Sequence, residues 1–128
     1  MKILVAIDSF KGSLSSLEAG LAVKDGLKGL CDVVVKPIAD GGEGSVEALA
    51  DALGATYIDA ITQDPLGVKI LARYALIKDL AILEMASASG LTLINEKQRN
   101  PLKTSTYGFG LLIKDAISKG ARKFIIGI

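Results

Sequence analysis

Four short segments concentrate the side chains that can do chemistry. The first, Asp8-Ser9-Phe10-Lys11-Gly12-Ser13, offers a carboxylate, two hydroxyls, an ammonium and a glycine that lets backbone N–H groups approach an anion. The second, Asp40-Gly41-Gly42-Glu43-Gly44-Ser45, sets three glycines around two carboxylates, so a ligand can come close to the backbone. The third, Asn100 to Gly108, carries Thr104, Ser105 and Thr106 in a row before an apolar-periodic stretch. The fourth is Glu84, followed by the small residues Ala86-Ser87-Ala88-Ser89-Gly90. Each also has a purely structural explanation. Ser13, Ser15 and Asp40 suit helix caps, the glycines suit a tight turn, and a Thr/Ser run is common at an N-cap.

The chemistry available is narrowed by what is missing. The 128 residues contain no histidine, so Ser-His and Cys-His nucleophile pairs and His-ligated zinc are excluded within them. A general base here has to be Asp, Glu, Lys or Tyr. There is no Gly-x-x-x-x-Gly-Lys-Ser/Thr phosphate loop, and Gly108-Phe109-Gly110 lacks the third glycine of a dinucleotide fingerprint. Carboxylates, hydroxyls and one lysine remain, as for an anion or small-metabolite site.

These segments need elements to position them. Lys2–Ile7 is a continuous apolar run, as expected for a central parallel strand buried on both faces. Ser15-Ser16-Leu17-Glu18 reads as a capping box opening a helix, with Leu14, Leu17, Leu21, Ala22 and Leu27 near helical spacing and Gly29 as its stop. Asp32–Ile38 is a second strand, and Val46, Leu49, Ala50 and Leu53 mark a second helix ending at Gly54. This βαβα order predicts the start of a Rossmann-like, doubly wound parallel sheet. In such sheets ligands bind where strands hand over to helices, and both the Asp8 and Asp40 segments sit there.

The texture then changes. Thr56–Thr62, Val68–Ile77 and Leu80–Met85 read as strands joined by Gln63-Asp64-Pro65-Leu66-Gly67 and by Lys78-Asp79, which implies antiparallel hairpins. A loop over about Thr92 to Leu102 leads to a helix over Thr106–Lys119, expected to bury Phe109, Leu112, Ile113, Ala116 and Ile117. Gly120 ends it, and Lys123–Ile128 reads as one more buried strand. The expected architecture is α/β, a βαβα start followed by an antiparallel-hairpin, β-rich segment and a further αβ unit, all part of a two-domain enzyme. A domain boundary near Gly54–Thr56 divides residues 1–55 from 56–128. Ending on an apolar strand, the chain reads as a fragment of a longer protein.

Bulk properties agree. Half the residues are apolar and 14 are glycine, the composition of a closely packed α/β protein. Mean hydropathy is +0.44, yet no run reaches the ~18 apolar residues of a spanning helix. Fifteen basic and 14 acidic residues give a net charge of +1, which calls for neither nucleic acid nor an anionic membrane as partner. The single cysteine, Cys31, excludes a disulfide framework and suits a reducing compartment. With no secretory leader before Lys2, a cytoplasmic location is expected.

Taken together, Asp8 to Ser13, Ala39 to Gly44, Glu84 to Leu91 and Arg99 to Gly108 resemble the glycerate kinase family in order and spacing, over essentially the whole chain. Two positions depart from the family pattern: Ser105 stands where Thr is more usual, and Ile7 where many members have Pro. The resemblance implies phosphoryl transfer from ATP, with Mg²⁺, to a hydroxyl of glycerate. It implies Asp8, Lys11 and Asp40 as catalytic, with Asp8 or Asp40 as proton acceptor or magnesium ligand and Lys11 offsetting anionic charge. Ser9, Gly12, Ser13, Gly41, Gly42, Glu43, Gly44, Glu84, Ser87, Thr104, Ser105 and Thr106 are then the substrate- or phosphate-binding set. Family members are much longer and continue into a Gly-rich loop with an Asn-Asp pair, so these residues alone are expected to be inactive. An uncovered strand edge also predicts self-association into a homo-oligomer. Two other readings stay open: a non-catalytic binding or interaction fragment, and another small-metabolite kinase of similar fold.

Overall fold

The computed structural model describes residues 1–10 and 12–128. It is a mixed α/β structure with two sheets. Strands β1 (Lys2–Val5) and β2 (Asp32–Val35) pair in parallel, joined by helix α1 (Ser16–Gly26). Helix α2 (Ser45–Leu53) then leads into a four-stranded sheet of order β3-β4-β5-β6, made of Thr56–Gln63, Lys69–Ile77, Leu80–Glu84 and Lys123–Gly127. As the turn residues predicted, β3-β4 and β4-β5 are antiparallel hairpins, whereas β5-β6 is parallel. Between the parallel strands run the short helix α3 (Ala86–Ser89), two 3₁₀ turns (Leu91–Leu93 and Glu96–Gln98) and α4 (Tyr107–Ser118).

Local chemistry explains most boundaries. The predicted capping box forms: Ser15 Oγ accepts the Glu18 N–H at 3.2 Å while Glu18 Oε2 accepts the Ser15 N–H at 2.8 Å. That N–H holds the Glu18 carboxyl below its ordinary value. In the first hairpin, Asp64 Oδ1 accepts the N–H groups of Leu66 and Val68 at 2.8 and 2.9 Å, which fixes the turn. The first two strands are shorter than their apolar runs. The Lys36 N–H still donates to Val5 O and the Ile38 N–H to Ile7 O, so the pairing runs on past the strand ends, with Pro37 at a position whose missing N–H would face away from β1.

The four-stranded sheet is the middle of a three-layer sandwich. On one face Ala60, Ala72, Tyr74, Ala81 and Leu83 pack with Phe109, Leu112 and Ala116 of α4. On the other, Ala75 and Ile82 meet Val46 and Ala50 of α2. The period-two alternation of Tyr74 with Ala75, and of Ile82 with its neighbours, sends side chains to opposite faces. Thus α2, although it follows β2 in sequence, packs on β4 and β5. Tyr74 is fully buried, and its hydroxyl donates to Asp115 Oδ2 of α4 at 2.9 Å.

Four burial expectations need correction. The first strand is not buried on both faces: Val5 is buried but Leu4 is 65% exposed, because a two-stranded sheet under one helix leaves a face open. The last strand, β6, lies at a sheet edge, with Ile125 and Ile126 about two-fifths exposed. On α1 the buried positions are Ser16, Ala19 and Gly20 rather than Leu21, because Gly20 lies against Val35 and only small residues fit there. Likewise Ile117 of α4 turns outward while Phe109, Leu112 and Ala116 point in.

Candidate functional site

A cleft of about 690 Å³ opens where the starts of α1 and α2 meet the outer face of the β3-β4 hairpin. Its near wall is Ser9 and the stretch from Gly12 to Ser16, leading into α1. Its second wall is the start of α2, with Glu43, Gly44, Val46 and Glu47. Two helix N-termini therefore face one space, and the dipole ends of the two helices lend it partial positive character. The Ser9 hydroxyl, which lines this cleft, is buried and has no hydrogen-bond partner among the described residues.

The floor is Glu84, at the end of β5 and 8% exposed. Its Oε2 accepts the Val46 N–H at 3.0 Å, and its Oε1 accepts the Ser87 hydroxyl at 3.3 Å. The N-cap of α2 is Gly44, which has no side chain to offer, so a carboxylate 38 residues away caps the first turn instead. At the far wall the Tyr57 hydroxyl donates to Asp51 Oδ1 at 2.9 Å. Arg73 forks onto Asp59 at 2.7 and 3.0 Å and stands 5.5 Å over the Tyr57 ring. Burial, aided by the Asp51 acceptor, pushes the Tyr57 phenol up to about 12. The Arg73 bond holds the Asp59 carboxyl low. Among the described lining residues Arg73 is the one cation, against Glu43, Glu47, Asp51 and Glu84.

The fold brings together Ser9, Gly12, Ser13, Glu43, Gly44, Glu84 and Ser87 of the set expected from the sequence. Lys11 lies outside the described residues. Asp8 and Asp40 stand beside the cleft rather than in its lining, and each holds a backbone N–H: Asp8 Oδ1 that of Ser9 at 2.7 Å, Asp40 Oδ1 that of Gly42 at 2.9 Å. Gly41 and Gly42 also lie outside the lining, because this loop turns toward the end of β6. A Cβ on Gly127 would come within 2.1 Å of Gly41 O, so only glycine permits the approach. Thr104, Ser105 and Thr106 line a second, smaller cavity with Pro65 and Ser89. Among the described residues no group of three or more Asp, Glu, Cys or His converges on a metal-sized site.

Tyr57, Asp51 and Arg73 were not singled out from the sequence. Tyr57 and Arg73 sit on the outward positions of strands in a hairpin, where polar residues ordinarily face water, so their types alone carried no signal. The same holds for Ser16, whose hydroxyl donates to Ile38 O at 3.0 Å and pins α1 to the strand-two loop. Among the described residues no helix is long and apolar enough to cross a membrane.

The chain is 46% identical, over its whole length, to the glycerate kinase of Bacillus subtilis strain 168 and covers 35% of that protein. It is 42% identical to the glycerate 2-kinase of Escherichia coli K12, again over 35% of the relative. A solved structure described as glycerate kinase 2 of Salmonella typhimurium LT2 superposes over the whole chain with a TM-score of 0.76 at 42% identity, and the match covers 36% of that chain. The chain thus spans about a third of the length of the relatives it matches. Residues 3–128 match the glycerate kinase family, and the chain belongs to it.

Proposed function

We propose that the whole protein carrying this chain transfers a phosphoryl group from ATP to a hydroxyl of glycerate, yielding phosphoglycerate and ADP. The observation that carries the reading is identity of 46% along the entire chain to a glycerate kinase. Phosphoryl transfer demands positioning and charge compensation more than covalent chemistry. The cleft supports the positioning part of that demand, with two helix N-termini and the Ser9 hydroxyl beside one space, whereas its four carboxylates leave charge compensation to cations.

Within this scheme Asp8 or Asp40 accepts the proton of the attacking hydroxyl, the base these 128 residues offer in place of a histidine. Lys11 offsets phosphate or carboxylate charge as a point cation. Ser9, Gly12 and Ser13 orient the acceptor. Mg²⁺, which binds through one or two carboxylates plus substrate phosphates, would be held at Asp8 or Asp40 and neutralise donor charge. Glu84 keeps the start of α2, and with it Glu43 and Gly44, at the cleft.

The test is ADP release by the full-length protein, coupled to a dehydrogenase readout, across glycerate, glycerol, tartronate and lactate. Turnover with glycerate well above the other three supports the reading. Equal rates on all four, or none, overturn it.

A further inference from the structure

We infer that Glu47 sets the choice of acceptor: its carboxylate accepts the hydrogen of a hydroxyl on a polyhydroxy monocarboxylate and turns away a ligand that carries a second carboxylate in its place. The inference rests on the phosphotransfer reading above and assigns a cleft residue outside the set expected from the sequence.

The four carboxylates that line the main cleft are not equivalent. Glu84 spends one oxygen on the Val46 N–H at 3.0 Å and the other on the Ser87 hydroxyl at 3.3 Å. Asp51 takes the Tyr57 hydroxyl at 2.9 Å. The side chains of Glu43 and Glu47 are exposed, and among the described residues their carboxylates make no hydrogen bond or ion pair. Arg73, the one described cation of the lining, is forked onto Asp59 at 2.7 and 3.0 Å, so it does not neutralise them.

Of the two uncommitted carboxylates, Glu47 is the better held. Glu43 lies between Gly42 and Gly44, in the loop ahead of α2. Glu47 lies in the first turn of α2, which Glu84 caps through the neighbouring Val46. The Tyr57 hydroxyl also reaches Glu47 O at 3.5 Å, beside its bond to Asp51 one turn further along. A side chain on a fixed helix keeps its place better than one on a loop, and choosing between ligands of similar size needs that placement.

The chemistry of the choice is simple. An ionised carboxylate only accepts hydrogen bonds. It pairs with a hydroxyl, which brings a proton, and repels another carboxylate, which brings charge of the same sign. Glycerate and tartronate present that contrast on one scaffold: where glycerate ends in a hydroxymethyl group, tartronate has a second carboxylate. A site built to bond a hydroxyl discriminates strongly against an analogue that lacks it.

The experiment measures steady-state rates of the full-length protein and its E47Q and E47A variants with glycerate and ATP, using tartronate as competitor, beside thermal midpoints. Each variant should raise KM for glycerate at least about tenfold, as for a lost hydrogen bond to a charged group, and leave KM for ATP within about twofold. With the charge gone, the ratio of the tartronate inhibition constant to the glycerate KM should fall at least about tenfold in both variants. E47D, which keeps charge and acceptor, should hold that ratio near the wild-type value. An acid that serves only the helix dipole would lower the thermal midpoint and leave the ratio alone. A wild-type ratio in E47Q and E47A, in a protein that turns over glycerate, overturns the inference and leaves the phosphotransfer reading standing; no turnover of glycerate by wild type overturns both.

Discussion

Glu84 and Val46 are 38 residues apart in sequence, yet the Glu84 carboxylate accepts the Val46 N–H at 3.0 Å inside the protein. One bond joins the end of β5 to the first turn of α2. Glu84→Ala would strand that N–H and remove the anion from a helix N-terminus, so a loss of about 2–3 kcal/mol is expected in urea unfolding. Glu84→Gln keeps an accepting oxygen and should cost less than about 1 kcal/mol. Equal losses for the two variants would mean that the contact is not made in solution.

The two glycines of α4 should respond in opposite directions. A Cβ on Gly108 would lie 1.8 Å from Gln63 O, and the backbone there cannot yield. Gly108→Ala should cost about 3 kcal/mol or more. Gly110 is exposed in the helix with nothing within 4 Å of its Cβ position, so Gly110→Ala should stabilise by about 0.5–1 kcal/mol. Thermal unfolding of both variants beside wild type decides the point.

Tyr57 predicts an alkaline response. Its folded value of about 12 lies above the ordinary 10.0, so the native state keeps the proton after the unfolded chain has released it. The resulting stability is complete below pH 10 and disappears as pH rises toward about 12. Tyrosinate absorbance should show a component near 12 that Tyr57→Phe removes. Persistence of that component in the variant would show that Asp51 and burial do not hold this phenol.

Charge in the Asp8 and Asp40 loops can be tested against charge on α1. In the full-length enzyme Asp40→Asn should depress kcat far more than Asp25→Asn, which sits on an exposed helical position. Lys11→Met should lower turnover at least tenfold, as expected when a charged contact made in the transition state is lost. Matching rates for the two Asp variants would reduce the Asp40 loop to a structural turn.

Much of this organisation was readable from residue types. Pro65 and Gly67 located one hairpin, Lys78-Asp79 the next, and Ser15 with Glu18 the capping box, because each is local chemistry within a few residues. What escaped was non-local. Apolar runs such as Lys2–Ile7 announce burial but cannot reveal whether a second layer covers them, and Leu4 proved exposed. For the same reason Arg73 and Tyr57 looked like ordinary outward strand positions until α2 was seen to bring Asp51 beside them. Thr104 to Thr106 were recognised as hydroxyl-rich, but only the fold showed that they meet Ser89 rather than Ser9.

The register of β3 on β4 also bears on how the molecule assembles. Its pairs run from Gln63↔Lys69, six residues apart, to Thr56↔Leu76, twenty apart, so the ladder can zip outward from its turn. The parallel partners Leu80 and Lys123 are 43 residues apart, and Lys2 and Asp32 are 30 apart, so both require long loops to close first. Loop closure is an entropic toll on rate, and hairpins form in about 1–10 μs. The hairpin is thus a nucleus on which α4 can condense, and φ-values should be high at Ala60 and Ala72 and low at Ile3 and Val33. The cleft, built between an early-forming hairpin and the late-forming β1-α1-β2 unit, would be among the last features of the molecule to take shape.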